Sequence, residues 1–71
     1  MSWTVFYIDH TGEGLSETCP DWVTARDTCH GFIDMVAPHT DVTFHRELDM
    51  VQPEHSFHAT DGVFQFAIET T

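Results

Sequence analysis

The sequence predicts an α+β fold: a four-stranded, mainly antiparallel sheet with one helix across one face, in the order β-α-β-β-β. Three observations carry that prediction. "WTVFYI" at 3–8 is an unbroken β-branched and aromatic run. Trp22, Ala25, Cys29, Phe32, Ile33 and Val36 recur at helical spacing. "SFHATDGVFQFAIE" alternates on both sides of Asp61-Gly62, the favoured two-residue hairpin turn.

The first strand, residues 3–8, is apolar on both faces. Trp3, Val5 and Tyr7 share one face and Phe6 and Ile8 the other. Such a strand belongs near the middle of a sheet or has its second face covered by a partner. If Phe6 and Ile8 meet the helix, Trp3 and Tyr7 face outward and become interface anchors.

"DHTGEGLSETCPD" at 9–21 reads as an acidic connection kept open by two glycines. It partly resembles a calcium loop, with Asp9 at the first position, Glu13 at the fifth and Gly14 at the sixth. Pro20 stands where the bidentate Glu belongs, and a strand enters where a helix should, so a solvated loop is the better reading.

The helix is expected from Pro20 to Val36. Pro20 suits the first turn, with Thr18 or Cys19 as cap, and Pro38 ends it. Gly31 costs about 1 kcal/mol inside a helix and is its weakest point.

"DVTFHRELDM" reads as a strand, with Val42, Phe44 and Leu48 inward, Arg46 as a flaw, and Thr43, His45, Glu47 and Asp49 outward. In the final hairpin the two-residue turn pairs Thr60 with Val63, Ala59 with Phe64, His58 with Gln65 and Phe57 with Phe66. Phe57, Ala59, Phe64, Phe66 and Ile68 then share the core face; His58, Gln65 and Glu69 share the other.

With 71 residues the chain makes a single acidic domain over 1–71. A chain of this size buries only about 60% of its unfolded surface, which leaves little room for a deep pocket. No nucleophile elbow or phosphate-binding glycine loop is present, so no enzyme is expected. Cys19 near a helix start is flanked by Glu17 and Asp21, which disfavour a thiolate. Cys19 and Cys29, ten residues apart on a helix, would be separated by roughly 15 Å. Both thiols should be free, as suits a reducing cytoplasm. The start "MSWTVFYIDH" lacks the pattern of a signal peptide, and no apolar run approaches the roughly 20 residues of a membrane span.

Six His and two Cys raise the question of zinc. Structural zinc sites use paired ligands at short spacing. Here His55 and His58 would point to opposite strand faces, and only His45 and His58 could meet, across neighbouring strands. No metal site and no cofactor is expected.

The charge balance is the strongest functional signal. Twelve Asp and Glu face two Arg and no Lys, for a net charge of −10. Nucleic acid and anionic membrane would both be repelled. A basic partner would be attracted, and a groove built for DNA is such a partner. On the predicted elements, Glu47 and Asp49 lie on one strand face at roughly 6.7 Å. Asp27 and Asp34 lie two helical turns apart, roughly 10.5 Å along the axis. Glu13, Glu17 and Asp21 line the connection, and Glu69 lies on the outer sheet face. With Trp3 and Tyr7, these are the candidate partner-binding residues.

A short, Lys-free, acidic α+β chain that opens directly into a strand resembles the small phage-encoded anti-CRISPR proteins, especially those that act as DNA mimics. That resemblance covers length, charge and element order, and no sequence motif. It implies a monomeric inhibitor in the cytoplasm of a bacterial host, bound to the DNA-binding surface of a CRISPR effector. Two other readings fit the same composition: a small domain adapted to high salt, and a small metal-binding or regulatory module.

Overall fold

The structure is a computed structural model that describes residues 2–36 and 43–71. Its elements are β1 (Trp3–Ile8), β2 (Gly14–Cys19), α1 (Trp22–Val36), α2 (Thr43–Asp49), β3 (Phe57–Thr60) and β4 (Gln65–Thr70). The α+β class and the four-stranded antiparallel sheet are as expected. Two elements differ. A strand occupies part of the stretch read as a loop, and a second helix replaces the strand expected at 41–50. Pro38 and Val42 lie outside the described residues.

The sheet order is β2-β1-β4-β3. The first and last strands of the chain therefore pair in the centre, with Val5 opposite Ile68 and Tyr7 opposite Phe66. This central position explains why β1 is apolar on both faces. The helices cover only one face. Trp3 packs edge-on against Trp22 of α1, Tyr7 against Phe32, and Phe66 of β4 against Phe44 of α2. Trp3 is 2% exposed. Trp3 and Tyr7 are thus core residues, and their expected role as outward anchors is corrected. Phe6 and Ile8 take the open face instead.

β2 leaves no strand signal in the sequence, because "GLSETC" has neither an apolar alternation nor a β-branched run. It is an edge strand whose first five residues are exposed. Its backbone pairs with β1 over the full length, from Trp3 opposite Cys19 to Ile8 opposite Gly14. Backbone pairing beside a well-anchored central strand needs little from side chains.

α2 stands in place of the expected strand for a different reason. Phe44 and Leu48 fit both a period of two and a period of 3.6. Arg46, at the position that would point inward in a strand, decides for the helix, where it turns away from the buried Phe44 and Leu48. Val51, one turn beyond, packs against the same core.

α1 begins later than expected and is capped by a different residue. The Asp21 carboxylate accepts the Thr24 N–H at 2.8 Å, and the Asp21 carbonyl accepts the Ala25 N–H. Asp21, rather than Thr18 or Cys19, is the N-cap. The helix runs unbroken through Gly31 to Val36.

The β3–β4 hairpin keeps the predicted faces but shifts its pairing by two residues. Thr60 lies opposite Gln65 and Phe57 opposite Ile68. The turn holds four residues because the Asp61 carboxylate accepts the Val63 and Phe64 N–H groups at 2.8 and 2.9 Å. A two-residue slip preserves the inward set, whereas a slip of one would invert it.

Candidate functional site

Three features of the surface carry chemistry. The first is how the helical cover divides the charge. On the open face of the sheet lie Thr4, Phe6, Ile8, Ser16, Thr18, His58, Thr60, Gln65, Ala67 and Glu69. Glu69 is the only acid among these, and its carboxylate is 3.7 Å from His58 Nε2. On the helical side are Glu17, which shares the inward-pointing side of β2 with Cys19, and the exposed Asp27, Asp34, Glu47 and Asp49. Glu13 and Asp21 flank β2 at its two ends and are exposed. No charged residue among the described ones is buried.

Two spacings must be revised. Glu47 and Asp49 belong to a helix, where residues two apart do not face each other. They therefore do not form the expected strand-face pair. Asp27 and Asp34 keep their two-turn separation on α1.

The second feature is the turn at the head of the β1–β2 hairpin. The Asp9 carboxylate accepts the Thr11 N–H at 2.8 Å, the Thr11 hydroxyl at 2.5 Å and the Glu13 N–H at 3.1 Å. The carboxylate that would open a calcium loop is committed to shaping a turn. The hydrogen bonds from Thr11 hold the Asp9 carboxyl below its ordinary value, and those from Thr24 do the same for Asp21. A depressed value means that each group stabilises the fold above the unfolded carboxylate value. That contribution is lost as pH falls through the lower folded value. NMR titration of the two side-chain carboxyls should give midpoints below the ordinary 3.8. Midpoints at or above it would break the link between these bonds and acid stability.

The third feature joins the two helices and was not visible in the sequence. His30 of α1 and His45 of α2 approach through their Nδ1 atoms at 2.6 Å. Their ring planes lie within 9° and their centroids are 4.8 Å apart. The N···N contact plus two ring radii accounts for that separation, so the rings meet edge to edge in nearly one plane. His30 Nε2 is 2.9 Å from Asp49 Oδ1, and His45 Nε2 is 2.9 Å from Asp34 Oδ1. The result is a four-member chain, Asp49–His30–His45–Asp34.

Helical spacing makes this chain possible. His30 and Asp34 are four apart on α1, and His45 and Asp49 four apart on α2, so each helix offers one imidazole and one carboxylate on one stripe. Each carboxylate serves the imidazole of the other helix. Ionised carboxylates only accept, so both Nε2 atoms carry hydrogen and both Nδ1 atoms turn toward each other. Asp34 and Asp49 are 74% and 65% exposed, so solvent screens each of these contacts and each adds little to stability. The anticipated meeting of His45 with His58 across strands does not occur, because His45 is on α2 and His58 on β3. The i,i+4 His–Asp spacing on α2 was legible only once that segment was known to be helical.

No protein-family model, curated protein or solved structure matches this chain.

Among the described residues no three His, Cys, Asp or Glu side chains converge on one point. Cys19 and Cys29 are free and buried, and burial pushes the Cys29 thiol up to about 12. A thiol held protonated in this way is a packing group rather than a nucleophile. A shallow groove of about 310 Å³ lies along the β1–β2 hairpin, lined by Phe6, Tyr7, Ile8, Gly12, Gly14, Leu15 and Ser16. Its lining offers no carboxylate, imidazole or thiol. No helix among the described residues is long and apolar enough to cross a membrane.

Proposed function

We propose that this protein is an acidic DNA mimic that occupies the basic nucleic-acid-binding surface of a CRISPR effector, or of a similar defence nuclease, and blocks target DNA. The observation that carries this reading is the segregation of charge. A chain of net charge −10 without a Lys exposes Glu17, Asp27, Asp34, Glu47 and Asp49 on its helical side, where Arg26 and Arg46 also lie, while Glu69 is the one acid on the open face of the strands. Carboxylates spread over one side can meet the Lys and Arg that a DNA groove presents to phosphates. Attraction of this kind acts at long range, speeds encounter and weakens as salt rises.

The helical side is therefore the binding side. Glu17, Asp27 and Glu47 are the residues to reverse, because Asp34 and Asp49 also hold the imidazole pair. Changing these three together to Lys should weaken competition with target DNA for the effector complex on the order of a hundredfold. Glu69→Lys, on the opposite face, should change it little. The proposal fails if Glu69→Lys weakens competition as much as the triple variant, or if competition does not fall with added salt.

A further inference from the structure

We propose that the Asp49–His30–His45–Asp34 chain is a proton-held clasp between the two helices. It binds one proton more than its two neutral imidazoles carry, and it releases α2 when that proton is lost or a second is added. The inference stands apart from DNA mimicry and rests on a count of protons. The chain has three contacts, His30 to Asp49 at 2.9 Å, His30 to His45 at 2.6 Å and His45 to Asp34 at 2.9 Å. Each contact joins two acceptor atoms unless a proton lies between them, so three protons are needed. Two neutral imidazoles supply one N–H apiece. The third proton is taken up from solvent and makes the pair one imidazolium beside one imidazole. This count holds wherever along the chain each proton rests. The ring planes lie within 9° of each other, which aims the two Nδ1 atoms along one line. A charge-assisted hydrogen bond accounts for the short middle contact.

The clasp works only with that one proton. A second would set Nδ1–H against Nδ1–H, and its loss would set lone pair against lone pair. The two carboxylates at the ends favour the single imidazolium. Beyond them, Arg26 and Asp27 lie one turn before His30 on α1, and Arg46 and Glu47 follow His45 on α2, a cation and an anion in each case. On the helix-facing side of the sheet, β1 contributes Tyr7 and β2 contributes Glu17 and Cys19, while β3 and β4 bring no titratable group. Burial keeps the Cys29 thiol of α1 neutral. In the unfolded chain the two rings bind protons independently, two below the ordinary imidazole value of about 6.5 and none above it. The closed clasp holds one. On the acid side the unfolded chain therefore binds more protons than the folded one, and stability rises with pH. On the alkaline side it binds fewer, and stability falls as pH rises further. The contribution of the clasp is greatest at about pH 6.5. On either side the folding equilibrium constant changes by up to about tenfold per pH unit.

The test is a pH titration of the whole protein followed by imidazole nitrogen NMR. His30 and His45 should titrate together in two steps, with one proton shared between the two Nδ1 atoms in the interval and both Nε2 atoms protonated throughout. His10, His55 and His58 should each titrate in one step. His45→Ala should turn the titration of His30 into a single step, and His58→Gln should leave the pair unchanged. Urea denaturation then compares the wild type with the double variant His30→Ala, His45→Ala. The ratio of their folding constants should peak at about pH 6.5 and fall on both sides. Repulsion among the acids changes with pH in both proteins alike and drops out of this ratio. The wild-type NMR titration needs no variant, so it decides the matter even where a variant fails to fold. Independent single-step titration of the two rings, a His30 titration unmoved by His45→Ala, or a ratio that changes steadily in one direction with pH would each overturn the proposal.

Discussion

Phe66→Ala should leave the protein largely unfolded in dilute buffer. Phe66 is fully buried on β4, one of the two central strands, and its ring lies between Tyr7 of β1 and Phe44 of α2. It joins the sheet to the second helix, so its loss opens a cavity where three elements meet. Truncating a buried Phe to Ala costs about 3–5 kcal/mol. A domain of this size rarely holds more than about 3–5 kcal/mol in total. A net charge of −10 adds self-repulsion and narrows the margin further. Urea denaturation followed by circular dichroism reads the effect directly. Phe6→Ala, on the open face where the ring is only partly buried, is the control. The packing account fails if the Phe66 variant keeps a midpoint as high as that of the Phe6 variant.

Gly14→Ala should disrupt the β1–β2 hairpin, for a reason that is steric rather than hydrophobic. A Cβ at position 14 would stand 1.7 Å from the Tyr7 carbonyl oxygen and 3.0 Å from Ile8 Cα. Both are backbone atoms of a central strand, so no side-chain rotation relieves the overlap. The chain must move, and the Ile8–Gly14 end of the ladder is where it would part. Amide exchange should speed up along β2 and at the Asp9 turn, while the α1 amides stay protected. Gly31→Ala makes the contrast. No atom lies within 4 Å of a Cβ there, so replacing a mid-helix glycine should stabilise by about 1 kcal/mol. Equal behaviour of the two alanine variants would contradict this account.

The elements that could be read from the chain are those whose side chains carry the pattern. β1 announces itself by six consecutive apolar or β-branched residues, and α1 by the stripe that buries Trp22, Ala25, Cys29 and Ile33. The β3–β4 hairpin is legible in its faces and not in its register. Asp61 uses its carboxylate to lengthen the turn, and alternation is blind to a shift of two. β2 could not be read because its pairing is made by backbone atoms.

The candidate sites divide along the same line. The acids are plain in the sequence, but their faces are not. Glu47 and Asp49 looked like neighbours on a strand and lie apart on a helix. Trp3 and Tyr7 looked available to a partner and are packed under α1. The imidazole pair joins residues fifteen positions apart on two helices, and no short spacing records such a meeting.

Composition and local periodicity determine that this is a small, acidic α+β chain whose core is aromatic; that its thiols are free is decided by the fold, which puts Cys19 on β2 rather than on the helix that carries Cys29. Composition and periodicity act through nearest neighbours and through charge, both of which the linear sequence contains. Tertiary structure alone decides that the first and last strands pair in the centre, that both helices cover one face, and that His30 meets His45. Those outcomes depend on which apolar faces bury each other. That choice is made by the whole chain at once, since each face is stable only when the others have closed over it.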